Sequence, residues 1–423
     1  MDRTILDVHI LQNVPPSNLN RDDTGTPKTA LYGGVRRARV SSQAWKRATR
    51  KAFEKLLPAS ELGVRTKKVA EELGGRITAL DGSIEGANAF ALAAEVIKTA
   101  TGSKVEVPKR KARKEGEDTG AEAPPESAYL MFLSRRQLDA LAAIVIKGSA
   151  GGDLKALQDF LKEKNSKAAA KAAVDTRHSV DIALFGRMVA DSADLNVEAA
   201  TQVAHAIGVH RSEIESDYYT AVDDRNKDDG ESGAGMIGAV DFNSATLYRY
   251  AAVDVDELDR NLGKGYRDSE GKNLQGQDGE GPSTPAARAV KAFLEAFAQS
   301  MPTGKINTFG NHTLPAAVIV KLRTRRAISF VDAFERPVTP GAGGEGGYLK
   351  GSCDRLAAYV PGLEEQYGVR DGDSTWVFRV GQDTAALSEL GNEVTFPELL
   401  DRVERAVERA LKTAEERRSG ADA

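Results

Sequence analysis

The chain has 423 residues, 41% hydrophobic and 28% charged, with a net charge of −4. This is the balance of a globular protein, long enough for a main domain with insertions. No apolar run approaches the roughly 18 residues of a membrane span, and the single cysteine, Cys353, excludes an internal disulfide framework. One cysteine fits a reducing compartment, so the cytoplasm is the expected location.

Thr4 to Gln12 alternates apolar and polar residues from the outset, which predicts a strand rather than a signal peptide. A polar loop rich in Pro and Asn follows from Asn13 to Pro27. Gly33-Gly34 marks a turn, and Val35 to Val40 predicts a short strand with exposed arginines. Ser41-Ser42 then caps a helix running to about Leu57. Trp45, Ala48, Ala52 and Leu56 form its buried stripe, and Pro58 lies just past its end. From Lys28 to Lys55 nine cations face one carboxylate, Glu54. That concentration suggests a polyanion partner; the alternative is a solvated face.

Residues from about Glu61 to Ala173 read as mainly helical and alanine-rich, interrupted by Val105 to Ser127. There, five cations in Lys109–Lys114 precede five anions from Glu115 to Glu126. Such a stretch buries too little apolar surface to fold alone and predicts a mobile loop, with a non-specific nucleic-acid arm as the other reading. Ser179–Phe185 predicts a strand. Val203 to His210 and Ile214 to Val222 flank Met236 to Tyr250 across the acidic, Gly-rich Asp223–Gly235, which predicts a long β-hairpin arm. A second Gly-rich insert spans Gly263 to Pro282. Helix Ala286–Ala298, strands Ala316–Leu322 and Thr375–Val380, and a charged helix from Pro397 to about Arg418 complete a mixed α+β domain without internal repeats.

Signatures of chemistry are sparse. Gly304-Lys305 is followed by Ile306, not Ser or Thr, and Gln299 stands five before Gly304, so no phosphate-cradling loop of the nucleotide-hydrolase type exists. One cysteine and five scattered histidines do not make a zinc site, and Cys353 reads as a small apolar filler. Asp22-Asp23 and Asp223-Asp224 could bind a divalent metal for phosphodiester cleavage, but they also read as turn chemistry or solvated charge.

Nucleic-acid binding has more support. On the helix after Ser42, Gln43, Lys46, Arg47 and Arg50 share an exposed face by their three-, four- and seven-residue offsets. Free N–H groups at the helix start, with the Ser41 and Ser42 hydroxyls, offer a phosphate seat, and Arg21 and Lys28 in the preceding loop can close over the same strand. The plainer alternative is that the serines only cap and the cations only solubilise. Tyr218-Tyr219 on the arm can stack on single-stranded bases, and Met188 can wedge between them; alone, each also reads as a packing residue.

Leu19-Asn20-Arg21-Asp22-Asp23 and the run from Tyr32 to Ala48 (Tyr-Gly-Gly-Val-Arg-Arg-Ala-Arg-Val-Ser-Ser-Gln-Ala-Trp-Lys-Arg-Ala) resemble the backbone subunit (CasC) family of the type I-E CRISPR Cascade complex. Asp181 to Met188, Val203 to Ala206 with Tyr218 to Asp224, and Tyr248 to Ala251 are similar to further blocks, in order, from Asp7 to about Leu262. Tyr218 departs from the pattern, where a larger aromatic is expected, and the stretches 105–127, 223–235 and 263–282 are longer than the pattern. The resemblance implies an α+β, RNA-recognition-motif-like (ferredoxin-like) palm with a helical fingers insertion and a β-hairpin thumb. Residues 1–60 would form the first part of the palm and 61–174 the fingers. Residues 175–423 would form the rest of the palm, with the thumb at about 205–250.

It also implies partners: a CRISPR RNA, a target DNA strand paired to that guide, other copies of the chain and other Cascade subunits, without a membrane. Arg21, Lys28, Ser41, Gln43, Lys46 and Arg50 would hold guide phosphates, Arg47 would lie beside them, Met188 would wedge between bases, and Tyr218-Tyr219 would brace the thumb. The resemblance implies no catalytic residue, cofactor or metal. A metal-dependent ribonuclease is the competing reading.

Overall fold

A strand buried on both faces belongs in the middle of a sheet, and β1 (Ile5–Ser17) is such a strand, buried from Ile5 to Gln12 although Asp7, His9 and Gln12 are polar. The computed structural model describes residues 3–108, 123–189, 193–221, 236–263, 284–340, 347–369 and 374–421. The chain forms two units: Met1–Phe53 with Thr201–Asp256 and Ala287–Ala423, and Glu54–Ala200 with Glu257–Ala286. The predicted loop of 105–127 and the Gly-rich stretches 223–235 and 263–282 lie largely or wholly outside the described residues, as do Asp223 and Asp224.

The first unit is built on a ten-stranded sheet. After β1 come β2 (Thr29–Tyr32), β3 (Val35–Val40), β4 (Thr201–Val203), β5 (Ala206–Gly208), β6 (Glu215–Ala221), β7 (Met236–Asp254), β8 (Ala317–Arg323), β9 (Thr375–Arg379) and β10 (Asn392–Glu393). Their order is β10-β9-β8-β1-β7-β5-β3-β2, with β4 and β6 also pairing with β7. β1 runs antiparallel to β7, from Ile5↔Asp254 to Ser17↔Asn243, and to β8, from Ile5↔Arg323 to Leu11↔Ala317. It therefore runs past the predicted loop start at Asn13. Pro15-Pro16 sits where the register shifts between Val14 and Ser17, a place where the ladder does not require their missing N–H groups.

Four longer helices complete this unit: α1 (Ser42–Leu56), α2 (Pro285–Gln299), α3 (Leu349–Gln366) and α4 (Phe396–Ala421). The sequence pattern did not reveal α3, because Pro361 inside it and its glycines read as breakers. α3 nevertheless covers one sheet face, where Cys353, Leu356 and Val360 pack with Tyr248, Tyr250, Ile319 and Phe330. Cys353 is fully buried there, and burial pushes its thiol up to about 12.

Asp7 and the Nδ1 atom of His9 are paired on that face. Arg323 holds Asp7 at 2.5 Å, and the Tyr250 hydroxyl donates to the same carboxylate at 2.7 Å. His9 lies 2.8 Å from the Tyr248 hydroxyl and stacks on Phe330 at 4.0 Å. Burial, with Arg323 and Lys321 nearby, keeps the His9 imidazole neutral well below its ordinary range.

The second unit gathers helices Val69–Leu80, Gly86–Thr101, Arg135–Gly148, Leu154–Lys162 and Lys164–Asp175 around a core that includes Leu73, Leu92, Val96, Leu141 and Val145. A capping box starts one of them: the Ser134 hydroxyl accepts from Gln137 N, and Gln137 Oε1 accepts from Ser134 N. The predicted strand Ser179–Phe185 is instead a helix, Val180–Phe185. Val180 to Leu184 are all buried, so no alternation existed to separate the two forms. The predicted strand Val203–His210 is likewise two short strands, β4 and β5.

Among the described residues, no helix is long and apolar enough to cross a membrane.

Candidate nucleic-acid interface

The hairpin β2–β3 turns at Gly33-Gly34, with φ of 58° and 76°. A Cβ on Gly33 would lie 1.6 Å from the Glu335 carbonyl, so both the turn and the close approach require glycine. The arginines that follow are not uniformly exposed, as the strand pattern had suggested. Arg37 is fully buried and donates to the carbonyls of Tyr32 (3.2 Å), Gly208 (3.1 Å), Phe334 (3.0 Å) and Glu335 (3.0 Å). It is a structural cation, satisfied by backbone. Arg36 is exposed, and Arg39 is half-buried, donating to Thr29 O and lying 3.4 Å from His205 Nδ1.

Helix α1 follows directly. Its buried stripe is Trp45, Thr49 and Phe53, with Ala48, Ala52 and Leu56 on the half-buried flank, so the stripe is rotated from the one the apolar spacing predicts. Beneath it lies Arg249 of β7, with its guanidinium 3.7 Å from the Trp45 ring and 4.6 Å from Phe297. Arg249 also donates to Gln12 Oε1 at 2.7 Å and to the Phe297 carbonyl. Burial lowers its pKa to about 9. These contacts fix α1 against the sheet and leave Gln43 and Arg47 exposed, with Lys46 and Arg50 half-buried. Desolvation lowers the Lys46 ammonium from its ordinary value.

The start of α1 differs from the expected seat of free N–H groups. Ser41 N donates to Asn20 Oδ1 (2.9 Å), Ser42 N to His205 Nδ1 (3.3 Å) and Gln43 N to the Ser41 hydroxyl (3.3 Å). Those donors are occupied by the protein itself. His205 accepts as the neutral ring, which partial burial and the charges of Arg39 and Lys28 favour. What the site offers a ligand is therefore side chains, not a helix end.

The preceding loop is tied to the same place. Asn20 accepts from Lys28 N at 2.8 Å, and Lys28 accepts from Arg39 N at 2.9 Å, which brings exposed Arg21 and half-buried Lys28 beside Ser41 and Gln43. Asp22 turns the loop. Its Oδ1 accepts from Thr24 N, the Thr24 hydroxyl and Thr26 N, and these bonds lower its pKa. Asp22 is thus engaged as a turn residue. Among the described residues, no three His, Cys, Asp or Glu side chains gather as a metal site would require.

The predicted arm is the antiparallel pair of β6 with the first part of β7, in register from Glu215↔Phe242 to Ala221↔Met236. At its root, Asp241 accepts from the Ser216 hydroxyl (2.6 Å) and the Thr26 hydroxyl (2.8 Å), while Asn18 Nδ2 donates to its carbonyl (2.9 Å). The arm and the Asn18–Lys28 loop are therefore fastened together. Tyr218 and Tyr219 are 76% and 44% exposed and point to opposite faces. Tyr219 lies over Gly238, where a Cβ would come within 2.4 Å of its ring. Met188 belongs to the second unit and is 83% exposed.

Arg21, Lys28, Ser41, Gln43, Lys46, Arg47 and Arg50 thus share the loop and helix of the first unit, with Tyr218 and Tyr219 on its arm. Asn20, Arg39 and His205 complete the loop–helix junction and were not singled out as site residues from sequence. His205 lies within the Val203–Ala206 block, but nothing local marks its bond to Ser42.

A family model described as CT1975-like protein matches residues 6–402. No curated protein matches the chain. Among solved structures, it is similar to a chain of a "CRISPR RNA-guided surveillance complex, pre-nicking", at 31% identity and a TM-score of 0.73, covering 95% of this chain and 100% of that one. It is also similar to a chain of a "CRISPR RNA-guided surveillance complex", at 28% identity and a TM-score of 0.65, covering 95% and 99%.

Proposed function

The chain belongs to the CT1975-like protein family, and from that premise we propose that it is a CRISPR RNA-binding backbone subunit of a type I-E Cascade complex. Several copies stack along the guide spacer in this reading, each gripping and kinking its own stretch while target DNA pairs with the segments between, as part of antiviral defence. The sheet-bearing unit serves as an RNA-recognition-motif-like palm, the helical unit as fingers and the β6–β7 arm as thumb. Support comes from the RNA-guided complexes whose chains it resembles over nearly its full length.

One observation carries the assignment of the grip. The N–H groups at the start of α1 are already bonded, so Arg21, Lys28, Gln43, Lys46, Arg47 and Arg50 form a side-chain surface suited to phosphates and indifferent to bases. Met188 acts as the wedge, and the arm tyrosines brace the strand. No residue of the chain cuts RNA in this reading; Asp22, the nearest candidate, is engaged in its turn.

The test is a salt titration of binding to guide-length RNA. Lys46→Ala and Arg50→Ala should each reduce the magnitude of the log–log salt slope by about 0.7, the single-strand value for one phosphate contact, and by the same amount on unrelated sequences. An unchanged slope, or losses that depend on sequence, would overturn the grip. Cleavage of that RNA in Mg²⁺, abolished by Asp22→Ala, would overturn the non-catalytic reading.

A further inference from the structure

Gly304-Lys305 does not belong to a nucleotide-hydrolase loop, but its setting in the fold points elsewhere. Residues 300–316 join α2 to β8 and contain one short helical turn, Ile306–Phe309, between Lys305 and Gly310. Both flanking residues have left-handed backbone, with φ of 50° and 58°. Glycine adopts this freely; lysine does so only where its surroundings impose it, and such strain gathers at functional segments.

The surroundings here are specific. Gly304 presses against the backbone of Asn18 and Leu19, so closely that a Cβ would lie 2.2 Å from Leu19 O. Phe309 packs 5.7 Å from Phe242, at the root of the arm where Phe242 pairs with Glu215. Thr313 donates to Asn13 O and accepts from Gln12 Nε2 at its own carbonyl, both at 2.8 Å. The segment is therefore wedged between the arm root and the loop whose next residues are Asn20 and Arg21.

Its outward groups are polar apart from Leu314. Thr303, Asn307, Thr308 and His312 are exposed, and Lys305 has no ion-pair partner among the described residues. Inside it, Asn311 is fully buried, yet neither its amide nitrogen nor its amide oxygen has a hydrogen-bond partner. A buried amide with no protein partner at either atom has its bonding completed by ordered water, an ion or a ligand.

We infer that residues 303–314 form a second contact for the RNA strand held by α1, with Lys305 meeting a phosphate and Asn307 and Thr308 meeting the adjoining sugar. A cation beside an amide and a hydroxyl suits sugar-phosphate backbone rather than bases, and Phe309 is taken up by its contact with Phe242. The inference rests on the RNA-binding reading and adds to it a contact outside the basic segment.

Lys305→Gly separates binding from folding, because it removes the charge and also relieves the left-handed strain. It should keep or raise the melting temperature. It should also reduce the salt-slope magnitude for guide-length RNA by about 0.7 and weaken binding at fixed salt by about fivefold. Lys305→Arg should keep the wild-type slope. If Lys46→Ala and Arg50→Ala lower the slope while Lys305→Gly leaves slope and affinity unchanged, the second contact is overturned and the α1 grip stands. If none of the three lowers the slope, both fall together.

Discussion

Arg36 and Arg37 are neighbours in β3, and the pleat sends them to opposite fates. Arg36 reaches the Thr29 hydroxyl from an exposed position, whereas Arg37 is sealed among four carbonyls. Removing Arg37 strands the buried carbonyls of Gly208 and Phe334 without a donor. Arg37→Ala should therefore cost about 3–5 kcal/mol in urea unfolding, and Arg36→Ala less than about 0.5 kcal/mol. Equal effects would contradict the division of labour. The sequence makes both residues part of one basic run, because charge density is visible in a string and the direction of a side chain is not. Offsets of three and four put Gln43, Lys46, Arg47 and Arg50 on one side of α1 wherever the helix lies, but not how far each is covered: Gln43 and Arg47 are exposed, Lys46 and Arg50 half-buried.

Elements were legible in proportion to their own periodicity. β1, β3, α1, α2, β8, β9, α4 and the β6–β7 arm carry clear local patterns, and the chain folds them close to where those patterns place them. α3 carries a proline and glycines that conceal its helix, and Val180–Phe185 is buried all round, so its period cannot be read. The junction at the start of α1 was hidden for a different reason. Its partners, Asn20 and His205, are 21 and 163 residues away along the chain. Long-range bonds of this kind also join the arm to the grip. Asp241 receives hydroxyls from both Ser216 and Thr26, so the loop bearing Arg21 and Lys28 is positioned by the arm root. Asp241→Ala should raise amide hydrogen exchange at Thr24 to Lys28 by at least about tenfold while leaving β1 protected. Unchanged exchange in that loop would show that Asp22 alone holds it.

For the whole molecule, the two units differ in how they are made. One is a sheet whose central strand carries a paired polar network, Asp7 with Arg323 and Tyr250, and His9 with Tyr248; the other is a helical cluster rich in alanine. If the grip holds phosphates and reads no bases, as proposed, a single copy binds RNA weakly and without preference. In the proposed reading tightness comes from repetition along one strand, where each copy raises the effective concentration of the next contact. Native mass spectrometry of the complex, purified through a tag on this chain from cells that also express guide RNA, tests this most directly. The account predicts several copies of the chain on one RNA of uniform length. A single copy per RNA, RNA of mixed lengths, or a complex without RNA would contradict it.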